Sequence, residues 1–278
     1  MAKIKLLALD LDGTLFNQKK EISLENKAAL KAARAKDVKV VLTTGRPIKA
    51  MEYLLKELDL ISDDNYIITF NGGLVQKTNG DILDKSELSY QQVENIQAEM
   101  EKLALPVDIL SDGIVYSISN QDHHSRYHLA NPTLSFKKIA GLDHLPRDII
   151  YNKVVIVYEA AFLDQQILKI PAYFYDRFEV FKSRDIILEI MPKGVHKAVG
   201  LDLLVKHLGI DASEVMAMGD EENDLTMLRW AGLGVAMANG TAAAKQAADA
   251  VTARTNEQSG VAEAIEKYIL KEDKNGII

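Results

Sequence analysis

Short apolar runs that alternate with amphipathic stretches constrain the fold of this chain more than any other feature. Apolar runs are typical of strands buried in parallel sheets, and they lie at residues 4–9, 38–42 and 66–70, where Lys5 and Lys39 interrupt the first two. Two helices are predicted between them, at residues 21–36 and 48–58, with Ser23 as the first N-cap and Pro47 before the second helix. The order strand–helix–strand–helix–strand predicts an α/β fold with a parallel sheet.

A different pattern occupies residues 84–190. It follows a hairpin signal at Asn79-Gly80 and alternates short strands with helices, which are predicted at residues 90–103, 122–130 and 162–170. The runs 178–182 and 186–190 are predicted to pair with each other. We therefore predict an inserted α+β domain at residues 84–190.

The α/β pattern returns after this insertion. A helix at residues 196–208 is closed by Gly209, and a strand at 214–218 leads into a helix at 223–231. Residues 1–83 and 191–278 are therefore predicted to form one core domain, with residues 271–278 as a frayed tail.

Composition limits the classes of protein to which the chain can belong. Its 278 residues, 47% of them hydrophobic, suffice for one large domain or two domains of ordinary size. The absence of cysteine excludes disulfides and fits a reducing compartment, and a net charge of −7 argues against a nucleic-acid partner. The sequence shows no signal-peptide pattern, and it has no apolar stretch of the about 18 residues that a membrane helix needs. We therefore expect a cytoplasmic protein with no membrane partner.

Two aspartates follow the first predicted strand. Asp10 and Asp12 are separated by Leu11 and followed by Gly13-Thr14. In an extended chain, residues i and i+2 point to the same side. Both carboxylates are therefore expected beyond the carboxyl end of the strand, where open α/β sheets bind ligands. Two like charges held that close need a cation or a shared proton; the alternative interpretation is an ordinary acidic turn.

Three further segments have carboxylate, hydroxyl or ammonium side chains at predicted strand ends or helix starts. Asp220-Glu221-Glu222-Asn223-Asp224 offers carboxylates that suit Mg²⁺, although acidic residues are also favoured in any first helical turn. Thr44-Gly45 suits phosphate binding at a helix start or is simply a capping turn. Lys197, at the start of a helix, would neutralise a bound anion or is an exposed surface lysine.

In chain order, these segments resemble the four motifs of the haloacid dehalogenase-like (HAD) phosphatases. The matching residues are Asp10-Leu-Asp12-Gly-Thr, Thr44-Gly45-Arg46, Lys197 and Gly219-Asp220-x-x-Asn223-Asp224. The insertion resembles the type IIB cap of that family. Resemblance to its Cof-type subfamily, and to the sugar-phosphate phosphatases within it, is carried by Asn71-Gly72-Gly73, residues 183–190 and Gly194-Val195-His196-Lys197.

The resemblance covers residues 4 to about 270 and implies a Rossmann-like core with an inserted α+β cap. Relatives often have Asn or Ser before the lysine and Gly after it, where this chain has His196 and Ala198. That departure leaves the local geometry around Lys197 open.

The resemblance also implies a Mg²⁺-dependent phosphatase that acts on a small phosphorylated metabolite. Asp10 is implied as the nucleophile and Asp12 as the acid and base. The implied metal ligands are Asp10, Asp12 and Asp220. The residues implied to hold the phosphoryl oxygens are Thr44, Gly45, Lys197 and Asn223. Glu221 and Asp224 are implied beside the metal, with Asp224 orienting Lys197 or a metal-bound water.

Substrate specificity is expected from the cap and from Arg46 and Asn71 near its hinge. Other candidates are His123, His124, Arg126, Lys182 and Arg184, each of which is alternatively an ordinary solvated side chain. A metal site at the histidine pair is not expected, because adjacent side chains in regular structure diverge. Trp230 lies among apolar residues of a predicted helix and is interpreted as core.

Several alternatives stay open. A phosphomutase or phosphotransferase of the same fold would use Asp10 with a sugar hydroxyl as acceptor. Another alternative is a phosphatase that acts on FMN, pyridoxal phosphate or nucleotides. A signalling receiver module is disfavoured by Asp12 and by the chain length, and a sensor without turnover would not need Asp12. The oligomeric state is not predicted.

Overall fold

The computed structural model describes residues 2–120 and 123–271. They divide into two compact units. The first comprises the described residues up to Gly45, Leu54–Asp84 and those from His196 onward; the second comprises Arg46–Tyr53 and Lys85–Val195. The domain boundaries given from the sequence stay a prediction, and they differ from this division mainly in residues 46–53.

Strands and helices alternate along much of the chain. The strands are β1 (Leu6–Leu9), β2 (Lys39–Thr43), β3 (Tyr66–Thr69), β4 (Leu74–Lys77), β5 (Ile82–Lys85), β6 (Val107–Ser111), β7 (Ile114–Ile118), β8 (Ser135–Lys138), β9 (Lys153–Val157), β10 (Phe178–Arg184), β11 (Ile187–Pro192), β12 (Val215–Gly219), β13 (Leu233–Ala236) and β14 (Ala250–Val251). The α-helices are α1 (Leu24–Arg34), α2 (Glu52–Glu57), α3 (Tyr90–Lys102), α4 (Tyr127–Ala130), α5 (Ala160–Ile167), α6 (Ala172–Arg177), α7 (Lys197–Leu208), α8 (Leu225–Trp230), α9 (Ala242–Ala247) and α10 (Gly260–Ile265).

The first unit is built on a sheet of order β14-β13-β12-β1-β2-β3-β4-β5. The strands from β14 to β3 are parallel, and β4 runs antiparallel to β3. Every residue of the central strand β1 is buried, as expected for a strand covered on both faces. The predicted α/β fold with a parallel sheet is therefore confirmed.

The order of strands in this sheet decides which loops meet. In β1, Leu9 lies opposite Leu42 of β2 on one side and Met218 of β12 on the other. All three strands point the same way, so the chain leaves them at one edge of the sheet. The segments that begin at Asp10, at Thr44 and at Asp220 are consequently neighbours.

The second unit contains a sheet of order β10-β11-β9-β6-β7-β8. Neighbouring strands are antiparallel except for the parallel pair β7 and β8. Helices α3 and α5 contribute Val93, Ile96 and Leu163 to an apolar core together with alternate residues of the strands. The predicted pairing of 178–182 with 186–190 is confirmed as β10 and β11.

One predicted element is mostly wrong. In place of a helix over residues 122–130, Asn120 and His123 exchange backbone hydrogen bonds, and only α4 (Tyr127–Ala130) is helical. The Ser125 hydroxyl accepts from the Tyr127 backbone N–H at 3.1 Å, so this local bond delays the helix start. Residue 122 of this prediction, and residues 272–278 of the predicted frayed tail, lie outside the described residues.

Trp230, interpreted as core, is half-buried and packs against the apolar core of the first unit.

Within residues 2–120 and 123–271, none of the helices has the length and apolar character needed to span a bilayer.

Candidate active site

Asp10 lies at the carboxyl end of β1 and is buried. Its backbone N–H donates to the Met218 carbonyl at 3.0 Å, which joins the ends of β1 and β12. This arrangement gathers three buried aspartates, Asp10, Asp220 and Asp224, whose carboxylate oxygens lie within 4.8 Å of one another. The edge of the sheet therefore carries a buried cluster of acidic groups.

Lys197 places one cation inside this cluster. It is the first residue of α7 and is fully buried, so it is not the exposed surface lysine of the alternative interpretation. Its Nζ donates to Asp10 Oδ1 at 2.5 Å and to Asp224 Oδ1 at 2.6 Å. Burial would lower the pKa of the ammonium, but the charges of Asp10 and Asp224 outweigh it and hold that pKa above its usual range.

Asp224 uses both of its oxygens to organise neighbouring groups. While Oδ1 accepts from Lys197, Oδ2 accepts from the backbone N–H groups of Asp220 at 2.8 Å and Glu221 at 3.1 Å. A Cβ on Gly219 would lie only 2.5 Å from the Asp224 Cβ, so this close approach requires glycine there. Asp224 thus has the contacts of an orienting group, the role that the resemblance implies.

Asp220 is fixed from the opposite side by the loop that follows β1. Thr14 Oγ1 donates to Asp220 Oδ1 at 2.7 Å. Gly13 has a φ of +88°, and a Cβ there would lie 2.1 Å from Asp220 Oδ2. Sequence reasoning quoted Gly13 and Thr14 but gave neither a role. The sequence signal that could have indicated a role is the Thr14 hydroxyl, which follows Asp12 by two residues in a loop at the edge of the sheet.

Asp12 lies outside the buried cluster. Its carboxylate is one-third exposed and accepts from Lys20 Nζ at 2.5 Å. β1 ends at Leu9 and the chain turns at Leu11, so the alternation of an extended strand does not continue to Asp12. The expected convergence of Asp10 and Asp12 on one spot is therefore only partial, and sequence reasoning did not anticipate Lys20.

The residues predicted to bind phosphate lie along the same edge. Thr44 is buried, and its backbone N–H donates to the Ile68 carbonyl at 2.9 Å. The Asn71 backbone N–H donates to the Thr44 carbonyl at 2.9 Å, and Asn223 Nδ2 donates to Asn71 Oδ1 at 3.2 Å. A Cβ on Gly45 would lie 3.2 Å from the Asn71 carboxamide. Thr44, Gly45, Asn71 and Asn223 are thus brought together.

The electrostatics of the cluster favour a bound cation. Burial, followed by the Asp224 charge, raises the pKa of Asp10 well above its ordinary value. Burial likewise raises the pKa of Asp220 to about 6, and burial together with Glu222 raises that of Glu221 to about 7. Three buried carboxylates face one ammonium group. Hard oxygen donors with excess negative charge are the set that Mg²⁺ prefers, so these residues fit that ion.

The other predicted specificity residues belong to the second unit, as does Arg46. The His123 ring packs against Tyr158 and Phe162, with centroids 4.8 Å and 5.2 Å away, whereas His124 Nδ1 lies 2.8 Å from Ser119 Oγ. The remaining candidates have surface positions: Arg126 pairs with Glu159, Lys182 pairs with Asp164, and Arg184 is exposed. Their roles stay predictions.

Comparison with known proteins agrees with the predicted family. A family model of haloacid dehalogenase-like hydrolases matches residues 7–265. YxeH of Bacillus subtilis (strain 168), named as a phosphatase, is 36% identical over 271 residues, which is 96% of this chain and 98% of YxeH. The 5-amino-6-(5-phospho-D-ribitylamino)uracil phosphatase YcsE of the same organism is 32% identical, covering 96% of each chain.

A solved structure gives the same result for the fold. A haloacid dehalogenase-like hydrolase from Bacteroides thetaiotaomicron superposes with a TM-score of 0.84 at 31% identity, covering 95% of this chain and 99% of its own. Since the family model and the relatives cover nearly the whole chain, this protein belongs to the haloacid dehalogenase-like hydrolases and is a phosphatase of that family.

Proposed function

We propose that this protein hydrolyses small phosphate monoesters, with phosphorylated sugars as the substrate class, and that Asp10 is its nucleophile. The observation that carries the proposal is the buried Asp10 carboxylate, held at 2.5 Å by the buried Lys197 ammonium. A carboxylate in such a position can form a covalent phosphoryl intermediate. For the substrate class, support comes from YcsE, whose name specifies a phosphoribityl compound.

The proposed reaction has two steps. An Asp10 oxygen attacks phosphorus, the ester P–O bond breaks, and Asp12 gives a proton to the leaving alcohol oxygen. Asp12 then removes a proton from water, which attacks the aspartyl-phosphate and releases inorganic phosphate and the Asp10 carboxylate. The partly exposed position of Asp12 supports this role, since the group must reach both the leaving alcohol and solvent water.

Binding of the phosphoryl group accounts for the remaining polar residues. Its oxygens would be held by Lys197, Asn223, the Thr44 hydroxyl and the Gly45 backbone N–H, because positioning and charge stabilisation dominate phosphoryl-transfer catalysis. Mg²⁺ would be held by the Asp10 and Asp220 carboxylates and the Asp12 carbonyl, and it would offset the repulsion between Asp10 and a phosphate dianion. Asp224 keeps Lys197 in place through their 2.6 Å contact.

Replacing Asp10 by Asn tests the nucleophile. Because the amide cannot form the acyl-phosphate, we expect Asp10→Asn to lower phosphate release from p-nitrophenyl phosphate by more than about 10³-fold. Asp37→Asn changes an exposed aspartate of the same unit in the same way and should keep wild-type activity. Turnover by Asp10→Asn within tenfold of the wild type would refute the mechanism.

A panel of substrates tests the proposed substrate class. Phosphate release would be measured on sugar phosphates and sugar-alcohol phosphates beside FMN, pyridoxal phosphate and nucleotides, each with Mg²⁺ and with EDTA. The proposal requires the highest kcat/KM among the first group. Phosphate transfer that depends on an added sugar acceptor, without net phosphate release, would instead favour the phosphomutase alternative.

A further inference from the structure

The turn that follows β3 has an uncommon backbone. Phe70, Asn71 and Gly72 have consecutive positive φ angles of 51°, 53° and 100°. Left-handed backbone is rare for residues other than glycine, and for a bulky residue such as phenylalanine it is an outlier. All three residues are buried. Such conformations persist where surrounding contacts hold them, and they concentrate at functional sites.

The contacts of Asn71 connect two phosphate-binding segments of the proposed site. Its backbone N–H donates to the Thr44 carbonyl at 2.9 Å, and its carboxamide lies against the Gly45 backbone. Its Oδ1 accepts from Asn223 Nδ2 at 3.2 Å. One residue thus holds the loop after β2 and the side chain of a residue 152 positions away.

The next residue, Gly72, connects the same turn to the third phosphate-binding segment. A Cβ on Gly72 would lie 2.2 Å from the His196 carbonyl, at the start of the helix that carries Lys197. One turn further along this helix, a Cβ on Gly200 would lie 2.9 Å from Gly72 Cα. Because neither position has room for a side chain, the turn packs directly against the first turns of α7.

We propose that Asn71 is a positioning residue of the phosphate site: its carboxamide orients the Asn223 carboxamide, and its left-handed backbone fixes the Thr44–Gly45 loop. This inference rests on the proposed function. When Asn223 Nδ2 gives one hydrogen to Asn71, the rotation of the Asn223 amide is restricted, and its second N–H hydrogen keeps a fixed direction. Asn71 therefore acts through Asn223 and Thr44.

A double-mutant cycle separates this role from a merely structural one. Asn71→Gly removes the side chain and tolerates the left-handed backbone, so the bond to the Thr44 carbonyl is kept. We expect it to lower kcat/KM for p-nitrophenyl phosphate about fivefold, or about 1 kcal/mol, the size of one hydrogen bond. In an Asn223→Ala background the same change should have no further effect, because its target is absent.

Two other variants sharpen the cycle. Asn71→Asp keeps an acceptor oxygen and tolerates positive φ, so Asn223→Ala should lower kcat/KM by the same factor in this background as in the wild type. Asn79→Gly removes another turn asparagine, which bonds Asp63 and Asp81, and should leave kcat/KM unchanged. If Asn71→Gly does not fold, Asn71→Asp and Asn223→Ala keep the inference testable, because a different effect of Asn223→Ala in the two backgrounds would overturn it.

The outcomes are distinct. Effects of Asn71→Gly and Asn223→Ala that multiply, or an Asn71→Gly enzyme within twofold of the wild type, would overturn this inference while leaving the proposed function intact. A wild-type enzyme that releases no phosphate from any monoester would overturn the proposed function and, with it, the inference.

Discussion

Both units bury a lysine, and they hold it in different surroundings. Lys197 of the first unit lies at the start of a helix, beside the ends of two strands, and contacts Asp10 and Asp224. Lys153 of the second unit lies within the sheet, on β9, and its Nζ donates to Glu189 of the neighbouring strand β11 at 2.6 Å. The first lysine is at an edge that a ligand can use, and the second is inside regular structure.

The difference extends to the backbone around each lysine. The first site is surrounded by glycines whose Cβ would collide with Asp220, Asp224 or the His196 carbonyl, and by the left-handed turn at Asn71. Lys153 and Glu189 occupy ordinary positions in register, with Glu189 opposite Val155. Close approaches and excess negative charge are features of a site arranged for a ligand, whereas the ion pair within the sheet neutralises its own charges inside regular structure.

The largest effect is expected at Lys197. Lys197→Met should lower kcat/KM for p-nitrophenyl phosphate by about 10²–10³-fold, as for the loss of one group that stabilises transition-state charge. It also leaves the buried Asp10 and Asp224 carboxylates without their ammonium partner, so MgCl₂ should raise its Tm more than it raises the wild-type Tm. The measurements are steady-state kinetics and thermal unfolding with and without Mg²⁺. Unchanged kcat/KM would erase the distinction between the two lysines.

The matched change in the second unit is expected to act on stability. Lys153→Met leaves the Glu189 carboxylate buried without its ammonium partner, which costs about 3–5 kcal/mol in comparable cases. Adding Glu189→Met should recover most of that loss, because apolar replacement of a whole buried pair is often neutral. Urea unfolding of the single and double variants measures both effects. If Lys153→Met lost activity without losing stability, the contrast between Lys153 and Lys197 would be wrong.

How far the sequence predicts these two regions depends on the range of the contacts. Ser23 caps α1 by accepting from the Asn26 N–H, and Gly209 ends α7 with a φ of 66°, both as predicted. These features are set by neighbours within a few residues. The strand pattern also predicted that the segments at Asp10, Thr44 and Asp220 meet at one edge of the sheet, because the carboxyl ends of parallel strands lie at the same edge.

The side-chain contacts were beyond such reasoning. Thr14 and Asp220 are 206 positions apart, and Asn71 and Asn223 are 152 positions apart. No local pattern encodes those pairs, and the same holds for the ion pair of Lys153 with Glu189. The helix predicted at residues 122–130 was wrong for the complementary reason, since the bridge from Asn120 to His123 and the Ser125 hydroxyl use backbone groups that a helix would need.

A smaller effect concerns how the second unit accommodates a buried carboxyl without a lysine. Asp108 on β6 is fully buried and accepts hydrogen bonds from the hydroxyls of Ser117, at 2.5 Å, and Ser125. Burial raises its pKa to about 6, and the two hydroxyls offset only part of that rise. Neutral hydroxyls thus replace the ammonium group that Lys197 supplies in the first unit.

The sign of the resulting pH dependence follows from that raised pKa. An acid whose pKa is higher in the folded state than in the unfolded state binds more protons when folded. Its contribution to stability is therefore present below about pH 4 and is lost as the pH rises through about 6. The full difference is at most about 3 kcal/mol. Asp108→Asn stays neutral at every pH, so it should be more favourable relative to the wild type at pH 8 than at pH 4.

Tm values of both proteins between pH 4 and 8 measure this relative stability, with Asp176→Asn, an exposed aspartate of the same unit, as the control that should show no such trend. A constant Tm difference between Asp108→Asn and the wild type would mean that the Asp108 carboxyl is solvated as well as an exposed one. In that case, the two units would not differ in this way, with buried carboxylates stabilised by the Lys197 ammonium in the first unit and the Asp108 carboxyl stabilised by the Ser117 and Ser125 hydroxyls in the second.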